Sequence, residues 1–158
     1  MQQRLPVYLG YALLVFFIVQ YALGIEWPYL SAWQQRERYR LWTGFLLLAY
    51  IGIQWVLTLV RIVRPGSTLG DRLVSFHRWL GAFTPLAFLL HASDLGFGYL
   101  LLLALTFFFN FCLGLLNVRV IRQYGASAFR AWFVTHVVAS VLITALALLH
   151  LWVVFYYK

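Results

Sequence analysis

Charge is scarce in this sequence. Only 10% of residues are Asp, Glu, Lys or Arg, against about a quarter in a soluble domain. That excludes a water-soluble globule. A mean hydropathy of +0.84 also excludes a disordered chain, which needs low hydrophobicity and high charge. Acids are scarcest, with four in all, and none stands inside an apolar run. The carboxylates of a facial non-haem metal site or an intramembrane proton relay are therefore missing. Cysteine occurs once, as Cys112, which excludes an internal disulfide and any multi-thiolate zinc or iron–sulfur centre. No Cys-x-x-Cys-His segment is present, so covalent c-type haem is excluded as well.

What remains is an apolar chain: 64% of its 158 residues are hydrophobic and 20% aromatic. A membrane helix needs roughly 20 mostly apolar residues. Five stretches qualify, at about 5–25, 41–63, 73–92, 97–118 and 131–155. None shows the period-two alternation of a membrane barrel. The expectation is an all-α integral membrane bundle of five transmembrane helices forming one domain over 1–158. The first stretch has no small-x-small cleavage site after it and reads as a span rather than a signal peptide. Asp71 is a candidate N-cap for the third span, Asn117 a candidate cap after the fourth, and Pro85 reads as a kink.

The net charge of +8 does not point to nucleic acid, because the arginines flank the apolar runs. One side of the bundle receives Arg4, Arg61, Arg64, Arg72, Arg78, Arg119, Arg122 and Arg130; the other receives Arg36, Arg38, Arg40 and Lys158. The positive-inside rule then puts the N-terminus in the cytoplasm and the C-terminus outside. A bacterial inner membrane is the expected location, with lipid as the surrounding partner.

The histidines are the chemical signal. There are four, His77, His91, His136 and His150, two on the third span and two on the fifth. Both pairs are separated by 14 residues. Fourteen helical steps make four turns less about 40°, so the members of a pair share a face about 21 Å apart. That puts one near each edge of a hydrocarbon core about 30 Å thick. One span intervenes, so the third and fifth are parallel. His77 then faces His136 on the cytoplasmic side, and His91 faces His150 on the outer side. Opposed imidazoles can ligate iron from both faces of a macrocycle, and two such pairs make two haem b sites between the third and fifth spans. Arg72, Arg78 and Arg130 are candidates to pair with propionates. Gly81 and Ser140, each four residues after a cytoplasmic-side histidine, are small enough to let a porphyrin approach. The bland alternative is that the histidines only hydrogen-bond helices together. Gln20, Gln54 and Asn110 read as interhelical hydrogen-bond residues in the same way.

Two spans with His-x13-His, separated by one other, resemble the haem core of the ferric reductase and NADPH oxidase type transmembrane superfamily. They also resemble the haem helices of cytochrome b in the quinol–cytochrome c oxidoreductases. The run His77-Arg78-Trp79-Leu80-Gly81 up to His91, and the short interval from His91 to His136, favour the first group over roughly residues 72–156. The resemblance implies electron transfer across the membrane through two b haems ligated by His77, His91, His136 and His150. It implies donors such as flavin, NAD(P)H or quinol, and outer acceptors such as iron, oxygen or a protein. Many members have six spans where five are read here, and there is no Gly-x-Gly-x-x-Gly motif or room after the fifth span for a flavin domain. The expected donor is therefore a separate redox protein, a quinol or a soluble flavin carrier. The leading expectation is an electron-transfer subunit of a larger redox complex. A freestanding quinol- or flavin-dependent metalloreductase or superoxide producer is the second, and a haem-free structural anchor the third.

Overall fold

The computed structural model describes residues 5–64 and 66–157, apart from the side chain of Asp71. Arg4 and Lys158, two of the charges used for orientation, lie outside the described residues. Among the described residues 85% are helical and none is in a strand. The helices are α1 (Leu5–Ala22), α2 (Pro28–Gln34), α3 (Glu37–Val63), α4 (Thr68–Ala82), α5 (Thr84–His91), α6 (Tyr99–Leu115), α7 (Val118–Gln123) and α8 (Ala126–Tyr156).

By length and composition, α1, α3 and α8 are each able to cross a membrane. Helices α1 and α8 are apolar around their whole circumference. Such a helix is either buried or lipid-facing. Only 22% of the apolar window of α1 and 11% of that of α8 is buried, and none of that of α3, so their apolar faces suit lipid. These three spans make the chain a membrane protein. The third expected stretch is split into α4 and α5, which qualify as a span only when taken together and are bent by 45°. The fourth is trimmed at both ends to the 17 residues of α6, about 25 Å at about 1.5 Å per residue. Gly98, at φ 62°, breaks the backbone before Tyr99, and Leu116 is extended after Leu115.

Short helices occupy two of the expected connections. Pro28 starts α2 at the position where its missing N–H costs nothing. Asn117 caps α7 by accepting from the Arg119 N–H at 3.0 Å. The expected cap at Asp71 is corrected to Ser67. The Ser67 backbone is extended and its hydroxyl accepts from the Gly70 N–H at 3.3 Å. An N-cap must stand outside the helix it caps, and α4 begins at Thr68, which leaves Asp71 within the helix.

The chain divides into two compact units, Met1–Asp94 and Leu95–Lys158. In the first, α4 and α5 pack against both α1 and α3. Phe17 of α1 meets Phe88 of α5 edge to face, with centroids 5.6 Å apart, and Ala82, Thr84, Pro85 and Leu89 are buried around the break. Pro85 supplies no N–H for the carbonyl of Gly81. The Phe83 N–H tightens onto the Leu80 oxygen at 3.1 Å. Tyr50 of α3 donates to the same oxygen, and its own oxygen lies 3.0 Å from the Thr84 hydroxyl. A neighbouring helix thus adds hydrogen bonds at the turn that the proline interrupts, one of the adjustments by which proline persists in membrane helices.

In the second unit α6 and α8 pair antiparallel through the short α7. Tyr99 lies beside His150, Asn110 beside Ser140 and Gly114 beside His136. The same register brings Ala104 level with Leu146, Phe107 with Ile143, and Phe111 with Ala139, all buried. Their three- and four-residue spacing makes one apolar stripe on each helix.

Candidate functional site

All four histidines are half-buried, and the backbone holds them differently. His136 and His150 stand on the unbroken helix α8, so the shared-face geometry expected from 14 residues applies to them. His77 lies on α4 and His91 is the last residue of α5, with the break between them. The straight-helix relation therefore does not carry over to that pair; the physical reason is Pro85.

His91 has the most elaborate setting. The two carbonyls preceding it, at a helix end where intrahelical donors run out, are taken by side chains. Gln34 Nε2 donates to Leu89 O at 2.8 Å, and Tyr39 OH to Leu90 O at 2.9 Å. Ser93 in turn donates to Gln34 Oε1 at 3.0 Å. On α3, Thr43 Oγ1 lies 3.1 Å from His91 Nδ1. Gly44 faces the ring edge: a Cβ there would stand 3.2 Å from His91 Cε1. The contacts made by α3 share one stripe of that helix. Tyr39, Thr43, Tyr50 and Gln54 recur near helical spacing, and each meets α4 or α5.

His136 is framed by α6 and by its own helix. Its ring stacks on Trp132 at 6.0 Å and 11°, and Trp132 Nε1 donates to Leu113 O at 2.9 Å. A Cβ at Gly114 would lie 3.6 Å from His136 Cε1, an ordinary contact. The Nδ1 atoms of His77 and His136 are both buried. His150 Nδ1 lies 3.4 Å from Tyr99 OH.

The supporting residues are placed as follows. Arg78 is half-buried, whereas Arg72 and Arg130 are exposed. Gly81 faces the Gln54 amide, whose Nε2 would be 3.8 Å from a Cβ at that position. Ser140 donates to the His136 carbonyl at 2.8 Å and accepts from Asn110 Nδ2 at 2.9 Å. Asn110 is thus an interhelical hydrogen-bond residue, whereas Gln20 accepts from the Trp27 indole at 3.1 Å. Sequence reasoning missed Gln34, Tyr39, Thr43, Gly44, Tyr99 and Gly114. For Tyr39 and Thr43 the available signal was the row of polar residues along one stripe of α3.

No cluster of three or more His, Cys, Asp or Glu able to hold a metal ion occurs among the described residues. A haem needs only two protein ligands, and four separate imidazoles suit that donor count. Comparison with protein-family models, curated proteins and solved structures finds no match to this chain. Fold and site together define an all-helical membrane protein with four half-buried histidines, two on one continuous span.

Proposed function

We propose that this chain is a transmembrane electron-transfer protein that binds two haem b groups, one ligated by His77 and His136 and the other by His91 and His150. The observation that carries the reading is the fourteen-residue interval repeated on two segments, one of them the single helix α8. The fit of residues to the group is supported by glycine. Gly44 leaves room beside the imidazole of His91, where a Cβ would crowd the ring at 3.2 Å.

In this reading α4 with α5 forms one bent span and α6 a short one, giving five. The N-terminus is cytoplasmic, in a bacterial inner membrane. Bound haem would supply a one-electron iron couple held by two imidazoles, which suits electron transfer better than oxygen binding. The electron would come from a quinol or a separate redox protein and pass to an acceptor on the other side. Arg78, with Arg72 and Arg130 nearer the aqueous edge, compensates propionate charge. The protein acts as a subunit of a larger redox complex related to the ferric reductase-like group.

A second reading, a haem-free anchor, draws on the same contacts. Hydroxyls of Thr43 and Tyr99 beside His91 and His150 are also what helix-packing histidines would make. A visible spectrum of the purified protein, oxidised and dithionite-reduced, separates the two when haem and protein are quantified together. Two low-spin b haems per chain support the proposal. A folded, haem-replete preparation with no haem would leave the anchor.

A further inference from the structure

We propose that Thr43 is a positioning residue for His91: its hydroxyl accepts the imidazole Nδ1–H and so presents Nε2 as the ligating nitrogen. The inference rests on the di-haem reading above. It follows from counting protons. A threonine hydroxyl has one hydrogen and two lone pairs. The Thr43 hydroxyl already donates within α3, to Tyr39 O at 2.8 Å with Arg40 O further off at 3.3 Å. Toward His91 Nδ1, at 3.1 Å, it can then only accept. The proton of the neutral imidazole is therefore on Nδ1, and the lone pair is on Nε2.

The arrangement fixes orientation as well as tautomer. Gly44, the next residue, abuts Cε1 of the same ring, where an added Cβ would come within 3.2 Å. Gln34 and Tyr39 hold the two preceding carbonyls, so both the backbone and the ring of His91 are tied to α2 and α3. Ligating histidines generally give their second N–H to such an acceptor, which sets the tautomer and raises ligand basicity. A more basic ligand favours ferric iron, so Thr43 lowers the midpoint potential at the His91 level. Thr43→Val keeps the branched shape and removes the acceptor; Thr43→Ser keeps the acceptor.

The test is a potentiometric titration of the full-length haem-loaded protein, followed in the visible, on wild type, Thr43→Val and Thr43→Ser. His91→Ala identifies the transition that belongs to its level. Thr43→Val is expected to raise that potential alone, by about a tenfold change in the one-electron equilibrium, which is about 59 mV. Haem at that level should also bind about tenfold more weakly. Thr43→Ser should match wild type. Two haems with both potentials unmoved in Thr43→Val would overturn the role of Thr43 and leave the di-haem reading standing. Equal shifts of both potentials would overturn it too, as a general packing effect. A wild-type protein without haem would overturn both. A measurement on wild type alone covers a variant that does not fold. In the dithionite-reduced protein, nitrogen-15 imidazole spectra should show a His91 Nδ1–H in Overhauser contact with the Thr43 methyl. A His91 ring protonated on Nε2 would overturn the inference.

Discussion

Tyr50 of α3 donates its hydroxyl to the carbonyl oxygen of Leu80, which also accepts from the Phe83 N–H at the break between α4 and α5. The same hydroxyl meets Thr84 at 3.0 Å, one residue before the buried Pro85. The bend is thus held from outside the bent segment. Tyr50→Phe keeps the ring and removes both bonds. It should destabilise the protein by about 1 kcal/mol, within the range of polar contacts between membrane helices. Equilibrium unfolding in mixed micelles is the measurement, and an unchanged midpoint would mean that the break is held by packing alone.

The pairing of α6 with α8 includes a half-buried polar link between apolar layers. Asn110 Nδ2 donates to Ser140 Oγ at 2.9 Å, while Ser140 donates back to its own helix at His136 O. A double-mutant cycle of Asn110→Ala and Ser140→Ala should give a coupling energy of about 0.6 kcal/mol, and at most about 1.7 kcal/mol. Strict additivity in unfolding titrations would show that this link does not hold the register.

The long helices were legible because a membrane span is announced by composition, and α3 and α8 need nothing else. Interruptions were harder to see. Pro85 signalled a kink, but the trimming of the fourth stretch to α6 depends on the backbone at Gly98 and Leu116, and apolar content does not encode that. Ser67 was overlooked because Asp71 stands closer to the apolar run, whereas the helix starts well before the run does. At the site, the histidines were visible as a repeated interval. Their partners were not, because Thr43 and Gly44 meet His91 from 48 and 47 residues away in the chain. Only the packing of α3 on α5 brings them together, and no local spacing reports it.

Orientation can be read from the two ends of α6. Phe97 precedes the helix and is 88% exposed; Tyr124 follows α7 and is 77% exposed. In the orientation proposed above, Phe97 is outside and Tyr124 is cytoplasmic. The one native thiol, Cys112, is exposed and must first be replaced by Ser. In that background, Phe97→Cys should react with a membrane-impermeant maleimide added to intact spheroplasts, and Tyr124→Cys only after lysis. The reverse pattern would invert the topology and with it the assignment of His77 and His136 to the cytoplasmic side.

The two glycines that abut histidines make an internally controlled pair. A methyl at Gly114 would meet His136 Cε1 at 3.6 Å, normal van der Waals contact, whereas one at Gly44 would meet His91 Cε1 at 3.2 Å. The second distance is too short to accept without displacing the ring, and Thr43, Gln34 and Tyr39 leave that ring little freedom to move. Gly114→Ala should therefore keep the wild-type haem content. Gly44→Ala should lose haem from one level, with the same spectral component missing as in His91→Ala and His150→Ala. His77→Ala and His136→Ala should remove the other component. Pyridine haemochromogen assays on all six variants, with optical difference spectra, decide the matter. If the four histidine variants do not fall into those two pairs, the pairing of ligands is wrong. If Gly114→Ala loses as much haem as Gly44→Ala, the close approach at Gly44 is not what shapes the His91 level.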